Sequence, residues 1–457
     1  WHGCLHRRRG LDAVLDAVDQ LQGAPLPASL IESEILPARV VGYQPGDLDT
    51  LIGAGEIVWC GVEPLGETDG RIALYLAEKL TELHSSNSKL QLNQLQNSLE
   101  ENQKQVLSLL NTRGAMFFPE LHEAVGGGYA GETLDALWSL VWTGLVTNDT
   151  FHALRAYMSR RANTRSSSRQ HVQAHFRSRR TFAPSAQGRW TLVDSPGAVQ
   201  VSSTARSHAL ALQLLKRHGI VTRETMLLEN VSGGFSAVYD VLKALEESGR
   251  VRRGYFVAGL GGAQFALPSA LDLLRSLRSD RSPEKPEMVS LAATDPANLY
   301  GSVLRWPALS IVSETESGND GSGKAELVRE TGTRTLARAV GARVVLRNGE
   351  LVAYIRRNNP NLIAFLPSDE PDRSHAARDL ANFLAELGQR DLQARGGVRP
   401  AGMLLATVND VPLADHFLAR FLLDAGFHSS PMGFNLHRMP MPSLAGDAIA
   451  VPLPEVQ

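Results

Sequence analysis

Hydrophobic and polar positions repeat one short pattern three times along the chain. An apolar helical stretch is stopped by glycine, and two short β-prone runs follow around a turn. In the first copy Gly46–Gly55 reads as the helix, and Ile57–Val62 and Arg71–Leu76 read as strands turning through Pro64 to Gly70. The second copy runs Glu132–Gly144 and then Leu145–Asp149. The third runs Ser236–Gly249, then strands Val251–Val257 and Ala263–Leu267 with Gly259–Gly262 at the tip between them. Each helix ends at a glycine, which tolerates the left-handed cap, and β-branched or aromatic residues come next. Two further helices, Ser207–His218 and Thr222–Leu228, precede the third copy, and Glu224 in the first turn of the second suits the helix dipole. Three helices, a strand, a wing and a strand make the order of a winged helix, a fold that serves both nucleic-acid and protein contacts.

Between the copies the pattern weakens. His84–Gln103 is rich in Ser, Asn and Gln and reads as a linker entering a helix, and Arg278–Glu287 is polar and interrupted by two prolines. Strands are then expected at Val289–Ala293, Ala342–Arg347, Glu350–Arg356 and Asn361–Leu366, with Asn348-Gly349 as a type I′ hairpin signal. Helix Ser374–Leu387, strand Met403–Val408, helix Pro412–Ala425 and strand Gly433–Arg438 follow. The fold class expected is therefore α+β. Winged helices are expected at 1–84, 101–200 and 201–280, with a linker at 85–100, a small antiparallel β-barrel at 281–372 and a C-terminal α/β module at 373–457.

Composition narrows the chemistry. The 457 residues suffice for several domains, and 43% of them are hydrophobic, which allows sizeable cores. The formal net charge of −2 does not by itself advertise a nucleic-acid partner, but phosphate binding depends on local patches. Cys4 and Cys60 are the only cysteines, which excludes a disulfide framework and a cysteine-based structural zinc site and fits a reducing compartment. No run of 18 apolar residues predicts a membrane span, and Arg7, Arg8 and Arg9 are not followed by the apolar core of a signal peptide. The opening Trp-His-Gly-Cys, without Met, suggests a piece of a longer protein.

Two constellations point to DNA. In the third copy Ser236 and Tyr239 fall on the early, exposed turn of the recognition helix, and Arg250, Arg252 and Arg253 start the wing, where helix and wing together meet groove and backbone. Gly233-Gly234 before that helix permits close backbone approach. The bland alternative for the arginines is a charged edge strand guarded against aggregation. The second constellation is the stretch Arg155–Arg189, which holds no acidic residue. It contains Arg160, Arg161, Arg165, Arg169, Arg177, Arg179 and Arg180, interleaved with His171, His175, Phe176 and Phe182, a composition suited to single-stranded nucleic acid. Gly318–Ala325 mimics a phosphate-binding loop, but Ala325 replaces the required Ser or Thr, and it reads as a polar insertion. His208, His218, His416 and His437 stand alone and offer no zinc spacing.

Several stretches resemble the carboxy-terminal region of the large helicase-related (Lhr) family of superfamily 2 DNA helicases. They are His218–Glu224, Gly233–Phe256, Ala292–Gly301, Gly341–Tyr354, Leu21–Ser29 and Leu36–Val40. The resemblance implies an ATP-dependent 3′-to-5′ single-strand DNA translocase that unwinds RNA–DNA or DNA duplexes in DNA repair. It further implies a bacterial cytoplasmic, nucleoid-associated location. The motor domains are not among these residues, so ATP and magnesium are expected only for them, and no cofactor or metal is expected here. The chain is also similar to tandem winged-helix DNA glycosylases, whose Gln-apolar-Gln motif matches Gln20-Leu21-Gln22. That similarity implies Gln20 and Gln22 as catalytic candidates that position a water beside an extruded base, uracil for example. Structural glutamines are the bland reading. Three functions thus stay open: a DNA-binding accessory region, a glycosylase module and a homo-oligomerisation module.

Overall fold

The computed structural model of the protein describes residues 1–84, 99–166, 182–194, 201–278, 286–308, 336–394 and 403–436. They form two units, one within Trp1–Ala308 and Glu330–Leu351, the other holding the described residues from Val352 onward.

The first unit repeats one topology three times. Module one is α1 (Leu11–Leu21), β1 (Leu26–Pro27), α2 (Ala28–Leu30), α3 (Pro45–Gly53), β2 (Ile57–Leu65) and β3 (Asp69–Leu76). Module two is α4 (Glu101–Arg113), β4 (Met116–Phe117), α5 (Phe118–Ala124), α6 (Ala130–Trp142), β5 (Val146–Asn148), then α7 (His152–Ser166) in place of a short wing, and β6 (Arg189–Leu192). Module three is α8 (Ser203–His218), β7 (Ile220–Val221), α9 (Arg223–Leu228), α10 (Ser236–Glu247), β8 (Arg252–Gly254) and β9 (Gln264–Ala266). Each has a three-stranded antiparallel sheet in which the last strand lies in the middle: β1-β3-β2, β4-β6-β5 and β7-β9-β8. This is the winged-helix order.

The third helices stop in one way. Gly55, Gly144 and Gly249 have φ of 77°, 75° and 74°. Each donates its N–H to the carbonyl three residues back (Ile52, Val141, Glu246), and the next residue donates to Leu51, Leu140 or Leu245. That is the paired Schellman bonding, which only a left-handed residue permits and glycine adopts without a Cβ penalty.

Modules one and two share a single apolar core. Val14, Val18 and Leu21 of α1 pack with Trp59 of β2, Leu137 and Trp138 of α6, and Trp190 of β6. Module three has its own core, in which Val238, Leu242 and Leu245 repeat along one face of α10 against Phe265.

Polar contacts join module three to module one. Gln213 Nε2 donates to the carbonyls of Asp19 and Gln20, each at 3.0 Å, Lys216 pairs with Asp19, and Arg217 donates to the Gln22 carbonyl. Arg217 and His218, both 3% exposed at the side chain, meet Glu229 at 7%. Burial would raise the Glu229 carboxyl, but Arg217 and His218 reverse this and hold it at about 2. A depressed carboxylate contributes stability above its unfolded value near 4.5, lost as pH falls from there toward 2. Glu229→Gln is therefore expected to lower stability at pH 7 and to flatten its decline between pH 5 and 2. Urea titrations at pH 7, 5 and 2 check this, and an equal fall of stability with pH in variant and parent would refute it.

The barrel expected at 281–372 is corrected. In the first unit β10 (Met288–Ala292) pairs antiparallel with β11 (Ala342–Arg347), and Asn348 and Gly349, with φ of 49° and 86°, make the expected turn. In the second unit β12 (Glu350–Arg356) and β13 (Asn361–Ala364) are antiparallel. β13 then pairs in parallel with β15 (Thr407–Val408), which turns back through Asn409 and Asp410 to β16 (Val411–Pro412). Among the described residues these ladders stay open and do not close on themselves. Closure would need the edge strands β10 and β16 to pair with each other, and no such ladder forms among the described residues. The second unit also holds a three-stranded sheet of β14 (Leu404–Leu405), β18 (Gly433–Asn435) and β17 (His428–Ser430), with helices α11 (Asp372–Ala394) and α12 (Ala419–Asp424). There Arg373 and Arg420 lie over the Phe417 ring at 4.1 and 4.4 Å.

Candidate nucleic-acid interface

Module three presents an open third helix. With Val238, Leu242 and Leu245 turned inward, Ser236, Asp240, Lys243 and Glu247 are left exposed. Tyr239 departs from expectation. It is half-buried, with its ring 5.8 Å from Phe235 and 6.1 Å from Phe265. The spacing explains this, since Phe235 and Tyr239 stand four apart on the helix and Tyr239 neighbours the inward Val238, placing it at the rim of the core. Ser236 keeps its expected exposed place at the first helical position.

Arg250 follows the Gly249 stop, and Arg252 and Arg253 lie on β8, the edge strand of the sheet. All three are exposed, and the side chain of none makes an ion pair or hydrogen bond with a described residue. Several other arginines of the unit are neutralised: Arg71 by Glu63, Arg155 by Glu32 and Asp49, Arg189 by Asp149, Arg217 by Glu229. The charge of the β8 edge is thus uncompensated.

The loop beyond β8 is built from inside. Gln264 is fully buried, and its Oε1 accepts from the N–H groups of Phe256 (2.8 Å) and Val257 (2.9 Å). Its Nε2 donates to the carbonyls of Val257 (3.0 Å) and Leu260 (3.4 Å). Phe256 folds back over Gly254, where any Cβ would lie 2.8 Å from the ring. Between them Tyr255 is 87% exposed. The sequence reading missed both Gln264 and Tyr255. A fully polar Gln between Ala263 and Phe265 in a strand was the available signal for the first.

Modules one and two pack against each other. Gly61 of β2 packs against the backbone of α6, and Gly70 of β3 packs against the Trp142 ring. Thr147 donates to the Trp59 carbonyl, and Trp59 stacks with Trp138 at 6.4 Å. On α6 only Glu132, Asp135 and Ser139 are exposed between positions 132 and 142. Over α3, Arg155 of α7 donates to Asp49 at 2.9 Å and to Glu32 at 2.6 Å, while the Tyr43 hydroxyl donates to Glu32 at 2.9 Å.

The basic stretch is divided. Its first member, Arg155, is spent on these carboxylates. Arg160, Arg161 and Arg165 lie on the backbone of α7, whereas Arg169, Arg177, Arg179 and Arg180, with His171, His175 and Phe176, lie outside the described residues. Phe182 is corrected from a stacking ring to a packing one, 5.2 Å from Phe118 and 6.1 Å from His122. Its apolar ring gains more from the module-two core than from solvent. The phosphate-loop mimic at Gly318–Ala325 also lies outside the described residues.

Gln20 and Gln22 sit at the joint between modules one and three. Gln22 is 2% exposed, its Oε1 accepts from the Leu76 N–H at 3.0 Å, and its Nε2 donates to Asp19 Oδ1 at 2.9 Å. Gln20 is half-buried, and its Nε2 donates to the Trp1 carbonyl at 3.3 Å. Nearby, Arg39 forms a buried fork on Asp295, at 2.8 and 2.7 Å, and donates to the Ile35 carbonyl at 3.0 Å. Burial alone would depress Arg39, yet the Asp295 carboxylate holds it above its usual value. His2, with Nδ1 3.1 Å from Arg39, is pushed well below its usual range by burial and then by that cation.

Comparison with known proteins places these modules. Residues 1–77 and 200–286 match family models described as winged-helix domains of the large helicase-related protein. The chain is 35% identical over 451 residues to an Lhr helicase/probable uracil glycosylase of Mycolicibacterium smegmatis. It is 33% identical over 447 residues to an Lhr helicase/uracil glycosylase of Escherichia coli. Each match covers 93% of this chain but only 27% and 26% of the relative, so the chain spans about a quarter of their length. Among the described residues no helix is long and apolar enough to cross a membrane.

Proposed function

This chain belongs with the Lhr-type large helicase-related proteins, and from that premise we propose that it is a DNA-binding accessory region, gripping DNA through module three. One observation carries the reading. The exposed third-helix and wing positions of modules one and two are neutral or acidic, Thr50, Glu63 and Glu67 in the one and Glu132, Asp135 and Ser139 in the other, whereas module three exposes Ser236 together with Arg250, Arg252 and Arg253, whose side chains have no ion-pair partner among the described residues. Unpaired guanidiniums on an edge strand meet phosphates without first breaking an internal ion pair. Tyr239 then borders the contact from the core rim, and the charge of Arg160, Arg161, Arg165, Arg169, Arg177, Arg179 and Arg180 adds attraction for the phosphates of a single strand or an RNA–DNA hybrid. ATP- and magnesium-driven translocation belongs in this reading to the rest of such a protein, and a nucleoid location follows from the DNA partner.

A second reading is favoured by the names of both relatives, which include uracil glycosylase. Under it Gln20 and Gln22 serve an extruded uracil, and Gln22 must release Leu76 or Asp19 to do so.

One experiment separates the two. The chain is incubated with labelled single-stranded DNA holding one uracil, and retardation and alkali cleavage are scored on the same sample. Accessory binding predicts retardation without cleavage. It also predicts that Arg252→Ala with Arg253→Ala weakens binding and lowers the salt slope by about 0.7 per lost phosphate contact. Absence of retardation at low salt would sink the DNA-binding reading. Cleavage that Gln20→Ala with Gln22→Ala abolishes, in a variant that still folds, would put excision first. Cleavage unchanged in that variant would remove the two glutamines from it.

A further inference from the structure

We propose that Tyr255 is a base-stacking residue: its ring, held outside the wing of module three, takes the face of an unstacked nucleobase of single-stranded DNA. The inference rests on the DNA-binding reading above and adds the ligand moiety that the wing recognises.

A surface tyrosine ordinarily folds its ring onto neighbouring apolar surface, because an extended ring leaves its apolar area in water. Here the chain prevents it. The Phe256 ring already occupies the face of Gly254, and Gln264 fixes the N–H groups of Phe256 and Val257 from below. Two further bonds, from Gln264 to the carbonyls of Val257 and Leu260, hold the rest of the loop. With 254 and 256 committed inward, Tyr255 stands outward at 87% exposure. The cost of freezing that loop is met inside the protein, so a ligand stacking on the ring does not have to order it.

The surroundings select the ligand. Arg252 and Arg253 lie three and two residues before the ring, their side chains exposed and without partners among the described residues. An aromatic face next to free guanidiniums fits an aromatic ligand on an anionic backbone, which is the chemistry of a single strand with exposed bases. In a continuous duplex both faces of each base are already stacked, and the ring has no face to take.

The test uses the full chain with Tyr255→Ala, Tyr255→Leu and Tyr255→Phe. Binding is measured on single-stranded and blunt duplex oligonucleotides, and the single strands carry 2-aminopurine at successive positions. Loss of one base stack should weaken single-strand binding about 5- to 150-fold in the Ala and Leu variants. Tyr255→Phe should retain parent affinity, and the salt slope should not change, because no phosphate contact is lost. At one position the 2-aminopurine quench seen with the parent should disappear with Tyr255→Ala. Parent protein that retards DNA while Tyr255→Ala binds equally well would overturn the stacking role alone. Equal losses in Tyr255→Phe, or a loss confined to duplex, would overturn it as well. Failure of the parent itself to bind at low salt would instead overturn the DNA-binding reading on which the stacking role depends.

Discussion

Asp295→Ala is expected to destabilise the first unit by about 3–5 kcal/mol, the cost of leaving a buried cation without its partner. Arg39 and Asp295 are 5% and 0% exposed and joined by two bonds of 2.8 and 2.7 Å. Remaining neighbours cannot take over the charge. The Ile35 carbonyl is already bonded, and His2 is kept out of its charged form beside the guanidinium. Asp295 also accepts from the Ala297 N–H, and Arg338 donates to the carbonyls of Thr294, Asp295 and Asn298. One substitution thus loosens both module one and the 294–300 turn. Replacing both partners by apolar residues, Arg39→Met with Asp295→Leu, should recover most of the loss, because no ion then remains to desolvate. Urea unfolding followed by tryptophan fluorescence reads the effect, and an Asp295→Ala variant within about 1 kcal/mol of the parent would contradict this account.

A second large effect is expected at the seam of modules one and two. Gly61→Ala should cost about 3 kcal/mol, the upper end of ordinary overpacking. Its Cβ would lie within 2.7 Å of the Val141 carbonyl carbon and collide with the oxygen as well. Both are backbone atoms of α6, so relief requires the modules to move apart and reopen the core of Trp59 and Trp138. Gly70→Ala provides the control. Its Cβ would strike the ring of Trp142, a side chain rather than backbone. Combined with Trp142→Ala, Gly70→Ala should add little further loss, while Gly61→Ala should cost as much in that background as alone. Additive losses for Gly70 and Trp142 in the double-mutant cycle would show that the two do not meet.

Local signals made part of this architecture legible. Gly55, Gly144 and Gly249 mark three helix ends because their left-handed φ is a requirement of the chain itself, whatever packs around it. Asn348-Gly349 marks its turn for the same reason. The first two helices of modules one and two were not separated from their surroundings. In α1 the buried set Ala13, Val14, Ala17, Val18 and Leu21 is periodic and legible as a helix face, but a reading keyed to the glycine-stopped repeat passed over it. The barrel failed as an expectation because strand-prone segments do not specify partners. The parallel pairing of Leu362 with Val408 spans residues far apart in sequence.

The candidate site divides along the same line. The run Arg250, Arg252 and Arg253 is visible in the chain, yet whether an arginine is available depends on what faces it. Arg155 and Arg217 read just as basic, and tertiary contacts with Glu32, Asp49 and Glu229 consume them. Phe182 and Tyr239 likewise turned toward cores, because burying a ring outweighs its local polar context. Tyr255 went the other way, and only the fold of Phe256 over Gly254 and the four bonds of buried Gln264 decide it. The sequence by itself determined where the three modules end their third helices and which segment holds surplus positive charge, since both are properties of the chain's own local chemistry. Which arginines stay available was decided by tertiary structure alone, because Glu32, Asp49 and Glu229 reach Arg155 and Arg217 only in the fold, while the side chains of Arg250, Arg252 and Arg253 meet no such partner among the described residues.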